Sequence, residues 1–106
     1  RIPDMNIAKE LTLQPDKPAR LMLWNEGSVN QLVIGLMRGQ VLAKHKTPYP
    51  ALLVVLKGSI EFRLPQERTV LTALDTFSIP VNELHEVEGL DEENLILVTK
   101  HVNPVL

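Results

Sequence analysis

Residues 39–58 read GQVLAKHKTPYPALLVVLKG. Successive side chains of a strand face opposite sides, so Val41, Ala43, His45 and Thr47 share one face of a strand over 41–47, while Leu42, Lys44 and Lys46 share the other. Two lysines mark solvent, which turns His45 inward. The Thr-Pro-Tyr-Pro run then breaks the strand, and ALLVVL (51–56) is a continuous apolar run of the kind a sheet buries. Lys57–Gly58 reads as a hairpin tip, with glycine supplying positive φ before SIEFRL (59–64).

The same signals recur along the chain. Short apolar runs bounded by turn residues place strands at 7–13, 19–24, 30–38, 41–47, 51–57, 59–64, 68–73, 75–79, 84–88 and 94–102. The prolines, Pro48, Pro50, Pro65 and Pro80 among them, fall between these runs or at an end, where a missing N–H breaks no ladder. Helix-period patterns are scarce. Many short strands joined by tight turns specify an all-β unit, closed or sandwiched so that its edges are hidden.

At 106 residues, with 44% hydrophobic, the chain supports one core and is read as a single domain over 1–106. The net charge of -2 comes from interspersed acids and bases, and no basic block is present to track nucleic acid or an anionic membrane. No apolar stretch approaches the about 20 residues that span a bilayer. The absence of cysteine excludes disulfides, thiolate metal sites and cysteine nucleophiles, and fits a cytoplasmic location. Met5 reads as the natural start, with Arg1–Asp4 as residues added ahead of it.

Strand parity also orients the other histidines. His85 and Val87 oppose Glu86 and Glu88, whose carboxylates are costly to bury unpaired, so His85 faces inward. His101 alternates with Leu95, Leu97 and Thr99 against Ile96, Val98 and Lys100, which places it at the cavity rim. Trp24 and Phe62 read as packing residues, Phe62 sharing the inner face with Ile60 and Leu64. An inward histidine on an apolar face is most often a hydrogen-bonded core residue. Two of them on different strands, each beside a proline-rich turn, point to a site at the strand ends.

The spacing of these residues resembles the cupin superfamily. Gly39, His45, Thr47, Ala51 and Gly58 fall on the first cupin motif, G-x5-H-x-H-x3-E-x6-G, with threonine for the second histidine and alanine for the glutamate. Leu74, Pro80, Asn82, His85 and Gly89 fall on the second, G-x5-P-x-G-x2-H-x3-N. Asn82 in place of glycine suits a tight turn, since asparagine tolerates the left-handed conformation. The resemblance implies a small single-domain cupin of the RmlC-like, cupin-2 conserved-barrel type. That is a jelly-roll β-barrel or sandwich of mostly antiparallel strands, usually a homodimer. It also implies a divalent transition metal, of whose four ligands only His45 and His85 remain. Glu83, two residues before His85, and His101 are the weak substitutes.

Three functions follow from these residues. The first is a small-molecule-binding cupin with its ligand held by His45, Thr47 and His85, and Tyr49 at the mouth. The second is an enzyme of isomerase, lyase or dioxygenase class, in which the two histidines ligate a metal or act as general acid and base. The third is a structural barrel whose N-terminal strand, NIAKELTL (6–13), augments a partner's sheet.

Overall fold

A computed structural model describes residues 5–102; Arg1–Asp4, read above as added residues, lie outside them. A single helical turn, α1 (Ile7–Glu10), precedes nine strands. These are β1 (Ala19–Glu26), β2 (Val29–Met37), β3 (Val41–His45), β4 (Ala51–Lys57), β5 (Ser59–Leu64), β6 (Glu67–Thr72), β7 (Thr76–Ile79), β8 (His85–Gly89) and β9 (Glu93–His101). They form two sheets, ordered β1-β2-β9-β4-β7 and β3-β8-β5-β6, with every neighbouring pair antiparallel. The two ladders stay separate, so the jelly roll is a sandwich and not a closed barrel. Two of its edges are blunted by brevity instead, β7 having 4 residues and β3 having 5.

The core lies between the sheets. Leu53 and Val55 of β4, Ile60 and Phe62 of β5, and Ile96 of β9 are almost wholly removed from water. Burying such a side chain contributes about 1.5–3 kcal/mol. Their period-2 placement is what fixes the register, because a one-residue slip would turn each of them outward. On the far side of β5 and β8, Arg63 bridges Glu61, Glu86 and Glu88. The two β8 glutamates thus face away from the core, half-buried and paired.

Three expectations are corrected. The 7–13 run is not a strand: the Asn6 side chain accepts a hydrogen bond from the Lys9 N–H at 3.2 Å and starts a helical turn. An asparagine N-cap satisfies amides that a ladder would otherwise have used. Leu11 and Leu13 beyond it cover Gly35, where a Cβ would collide with both. That segment therefore packs on its own sheet and offers no strand to a partner. Second, Lys57–Gly58 is not a hairpin tip, since β4 and β5 belong to different sheets; it is a corner. Gly58 does adopt positive φ, at 78°, and turn chemistry alone does not separate a hairpin from a corner. Third, Trp24 is half-exposed on the outer face and does not pack in the core.

The turn between β6 and β7 carries Leu74 at φ 76°, although its side chain is 80% exposed. It stands at the first glycine of the second motif. Because the side chain packs against little, Leu74→Gly should raise unfolding stability by about 0.5–1 kcal/mol by relieving left-handed strain. Leu74→Ile, β-branched, should lower it by about 1 kcal/mol. Urea unfolding of the two variants tests the opposite signs. Among the described residues no helix is long and apolar enough to cross a membrane.

Candidate functional site

His45 and His85 come together because β3 and β8 pair, the two residues lying directly opposite each other. Leu42 is opposite Val87, so three steps along β3 match two along β8: the strand carries a bulge between Leu42 and His45. The bulge changes the alternation read from the sequence. Leu42 is buried in the core while Val41, Ala43 and His45 are exposed, so His45 is not turned inward as expected but stands at the cavity mouth, which it lines. The imidazoles meet edge to face with centroids 4.3 Å apart. His85 in turn stacks on Phe62 at 5.2 Å, and Phe62 touches Phe77 at 4.5 Å. An aromatic stack thus runs from the core to the cavity mouth.

Each imidazole is held the same way. The Nδ1 of His45 lies 2.9 Å from the Ala43 carbonyl oxygen, and that of His85 lies 3.1 Å from the Glu83 carbonyl oxygen. A carbonyl only accepts, so both Nδ1 atoms carry the proton and, in the neutral ring, both Nε2 atoms keep a lone pair. His85 is 4% exposed, and burial lowers its pKa below the ordinary 6.5, aided by the charges of His45 and Lys100 and opposed by the bond to Glu83. Below about pH 6.5 the unfolded chain therefore binds more protons at this position than the folded one. Stability contributed by neutral His85 should be present above 6.5 and decline as pH falls toward its lowered folded value. Urea midpoints from about pH 7.5 down to 5 should fall further for the wild type than for His85→Gln.

These residues line a cavity of about 400 Å³ between the sheets, open at the end that carries the histidines. Its walls are aliphatic, with Leu53, Val87 and Ile96 among them. Thr47 is buried at this end, its hydroxyl accepting from the Tyr49 N–H at 3.3 Å and its carbonyl from the Asn82 N–H at 2.8 Å. Asn82 has φ 61°, the left-handed turn conformation expected of it. Tyr49 is half-buried and not among the lining residues. Three basic lining residues were not foreseen at the site: Arg20 of β1, Lys44 of β3 and Lys100 of β9. Lys100 had served only as a mark of solvent, but it follows Ile96 and Val98 on the core face. Arg20 is opposite Ile34, a core residue, and so shares its face.

The four-ligand cupin metal set does not fit this donor set. Thr47 and Ala51 stand at two of the four ligand positions, and Ala51 has no donor atom. Glu83 is exposed and lines a separate depression with Pro80 and Glu67. His101 lies on the opposite face of β9 from Val98 and Lys100, because the core takes the even-numbered residues of that strand. Among the described residues no three His, Cys, Asp or Glu side chains are grouped to hold a metal ion.

A two-sheet antiparallel jelly roll is the cupin architecture, and solved structures agree on the fold. A cupin superfamily protein from Desulfitobacterium hafniense superposes with a TM-score of 0.85 at 13% identity, over 97% of this chain and 94% of that one. An RmlC-like cupin protein from Desulfovibrio desulfuricans gives 0.82 at 16%, over 95% and 97%. A conserved protein of unknown function from Streptococcus pyogenes gives 0.84 at 18%, over 99% and 91%. The chain has the cupin fold. No protein-family model matches the sequence, and neither does any curated protein.

Proposed function

We propose that this cupin binds a small molecule in the cavity, beside His45, Thr47 and His85. The observation that carries the reading is the combination of an aliphatic chamber of about 400 Å³ with two imidazoles whose Nδ1 atoms are tied to backbone carbonyls. Chambers of this size with a few fixed polar groups are the usual small-ligand sites. A filled cavity is the direct test. Ala51 lies in its wall, so compounds that raise the melting temperature of the wild type should not raise that of Ala51→Phe, provided the variant stays folded. Hits that stabilise both equally would place the ligand elsewhere.

A second reading, an enzyme that works without metal, draws support from the lowered pKa of His85. A base kept unprotonated at neutral pH, with its lone pair fixed by the Nδ1 bond, suits proton abstraction from a bound substrate. In that case turnover disappears in His85→Gln while the fold remains.

The proposal includes a cytoplasmic homodimer. Support comes from the outer face of the five-stranded sheet, where Trp24, Gln31, Thr99 and Leu52 form one cross-strand row. Trp24 is 50% exposed and Leu52 45%, apolar side chains at the two ends of that row. Sedimentation should give a dimer for the wild type and a monomer for Trp24→Lys.

A further inference from the structure

The cavity is charged in one sense only. Arg20, Lys44 and Lys100 line it together with the two histidines, and no aspartate or glutamate does. This is unlike the chain as a whole, where acids outnumber bases, 13 to 11. Among the described residues neither Arg20 nor Lys100 forms an ion pair, although Lys57 and Arg63 do. The placement is structural. Lys100 sits on the core face of β9, two residues beyond Val98 and opposite Ala51. Arg20 sits on the core face of β1, opposite Ile34. Both cations stand on the five-stranded sheet, Lys100 level with Ala51 at the mouth and Arg20 on the edge strand, level with Ile96 four residues back along β9, and the walls between them are largely Leu, Ile and Val.

We propose that the ligand is a small organic acid, its carboxylate held at the mouth by Lys100 and its apolar body lying in the aliphatic chamber, with Arg20 adding positive charge from the edge strand. This rests on the small-molecule reading above and names its ligand class. An anion at this point makes a charge-assisted hydrogen bond to Lys100 and lies in the field of Arg20 and Lys44, with desolvated surroundings on the chamber side and water on the other. A neutral ligand gains only the apolar contact. The ordinary alternative for Lys100 and Arg20 is that their stems cover the apolar rim while the heads are merely solvated. That alternative predicts no preference for charge.

Calorimetric titration of the full chain separates the cases, with hexanoate and benzoate as probes and hexanamide and benzamide as neutral matches of nearly the same shape. At low ionic strength the acids should bind about tenfold or more tightly than their amides, the difference a charge-assisted contact makes. Raising salt should narrow that gap. Lys100→Met and Arg20→Met keep the apolar stems; the first should weaken hexanoate about fivefold or more and the second by less, both leaving hexanamide unchanged. Amides that bind as tightly as acids would overturn the acid assignment but leave the small-molecule reading standing. So would hexanoate affinity that survives both substitutions. Failure of all four probes to bind would overturn the acid assignment and count against the small-molecule reading as well.

Discussion

Asn94→Ala should lower unfolding stability by about 3–5 kcal/mol, measured by urea titration, which for a domain of this size approaches the whole margin. Asn94 is fully buried, and its amide makes four hydrogen bonds. The oxygen accepts from the Ser59 N–H at 2.9 Å and the Asp91 N–H at 3.1 Å. The nitrogen donates to the carbonyls of Leu36 and Asp91, both at 3.0 Å. Alanine would leave these buried groups unpaired, and each costs about 1–3 kcal/mol when stranded. Asn94→Asp tests the geometry, because a carboxylate retains the two accepted bonds but faces two carbonyls with no donor. It too should destabilise. A loss below about 1 kcal/mol for alanine would mean that water replaces the amide and that the seam is not closed.

The reason for so large an effect lies in what Asn94 joins. It binds β2, the β4–β5 corner and the turn before β9 at one point. A Cβ on Gly58 would strike the Asn94 oxygen and come within 2.5 Å of the Glu93 carbonyl, and one on Gly89 would lie 2.7 Å from the Asn94 nitrogen. Both glycines are motif positions in this chain, the second standing where the cupin pattern has asparagine. The space their missing side chains leave is filled by the amide of Asn94. Gly89 is four residues along β8 from His85, roughly 13 Å at the usual rise of a strand. The sandwich is thus sewn shut at one end and open at the other, where the cavity lies.

What the sequence made legible follows from the range of the forces involved. Strand alternation and turn residues act locally, so the nine strands from Ala19 to His101 were placed within two residues of their observed ends. His85 was oriented correctly by its own neighbours. Leu42 was not, because the bulge that reverses its parity is a property of the pairing with β8 and leaves no mark in β3 alone. Helix α1 was missed where alternation of Ile7, Leu11 and Leu13 outweighed the cap signal of Asn6. Asn94 could not be found at all, since its partners lie up to 58 residues away and a single buried asparagine has no period. Lys44 and Lys100 were misjudged, and Arg20 passed over, for a different reason. A basic residue is counted as solvent-facing by rule, and that rule fails at the mouth of a cavity, where the core face of a strand reaches water.

The second large effect connects the core to the site. Phe62→Ala should cost about 3–5 kcal/mol, as expected for removing a buried phenylalanine that its surroundings cannot replace. Phe62→Leu, which keeps most of the volume, should cost only about 1–1.5 kcal/mol. The two variants nevertheless share one consequence, because Phe62 provides the face on which the His85 ring stacks. His85 is otherwise fixed by its Nδ1 bond to Glu83 and by the edge of His45, and neither contact resists tilting of the ring out of its plane as a flat aromatic neighbour does. In Phe62→Leu the fold should persist while the ring nitrogen and carbon resonances of His85 shift toward those of a free neutral imidazole. Ligand affinity should fall with them. A variant that loses about 1 kcal/mol of stability yet keeps the His85 resonances and full affinity would show that the backbone bond alone positions the ring. The core would then serve the site only by holding β8 in place. With the shift observed, the stack from Phe77 through Phe62 to His85 is a single device, in which packing energy deep in the sandwich fixes the orientation of a lone pair at its mouth.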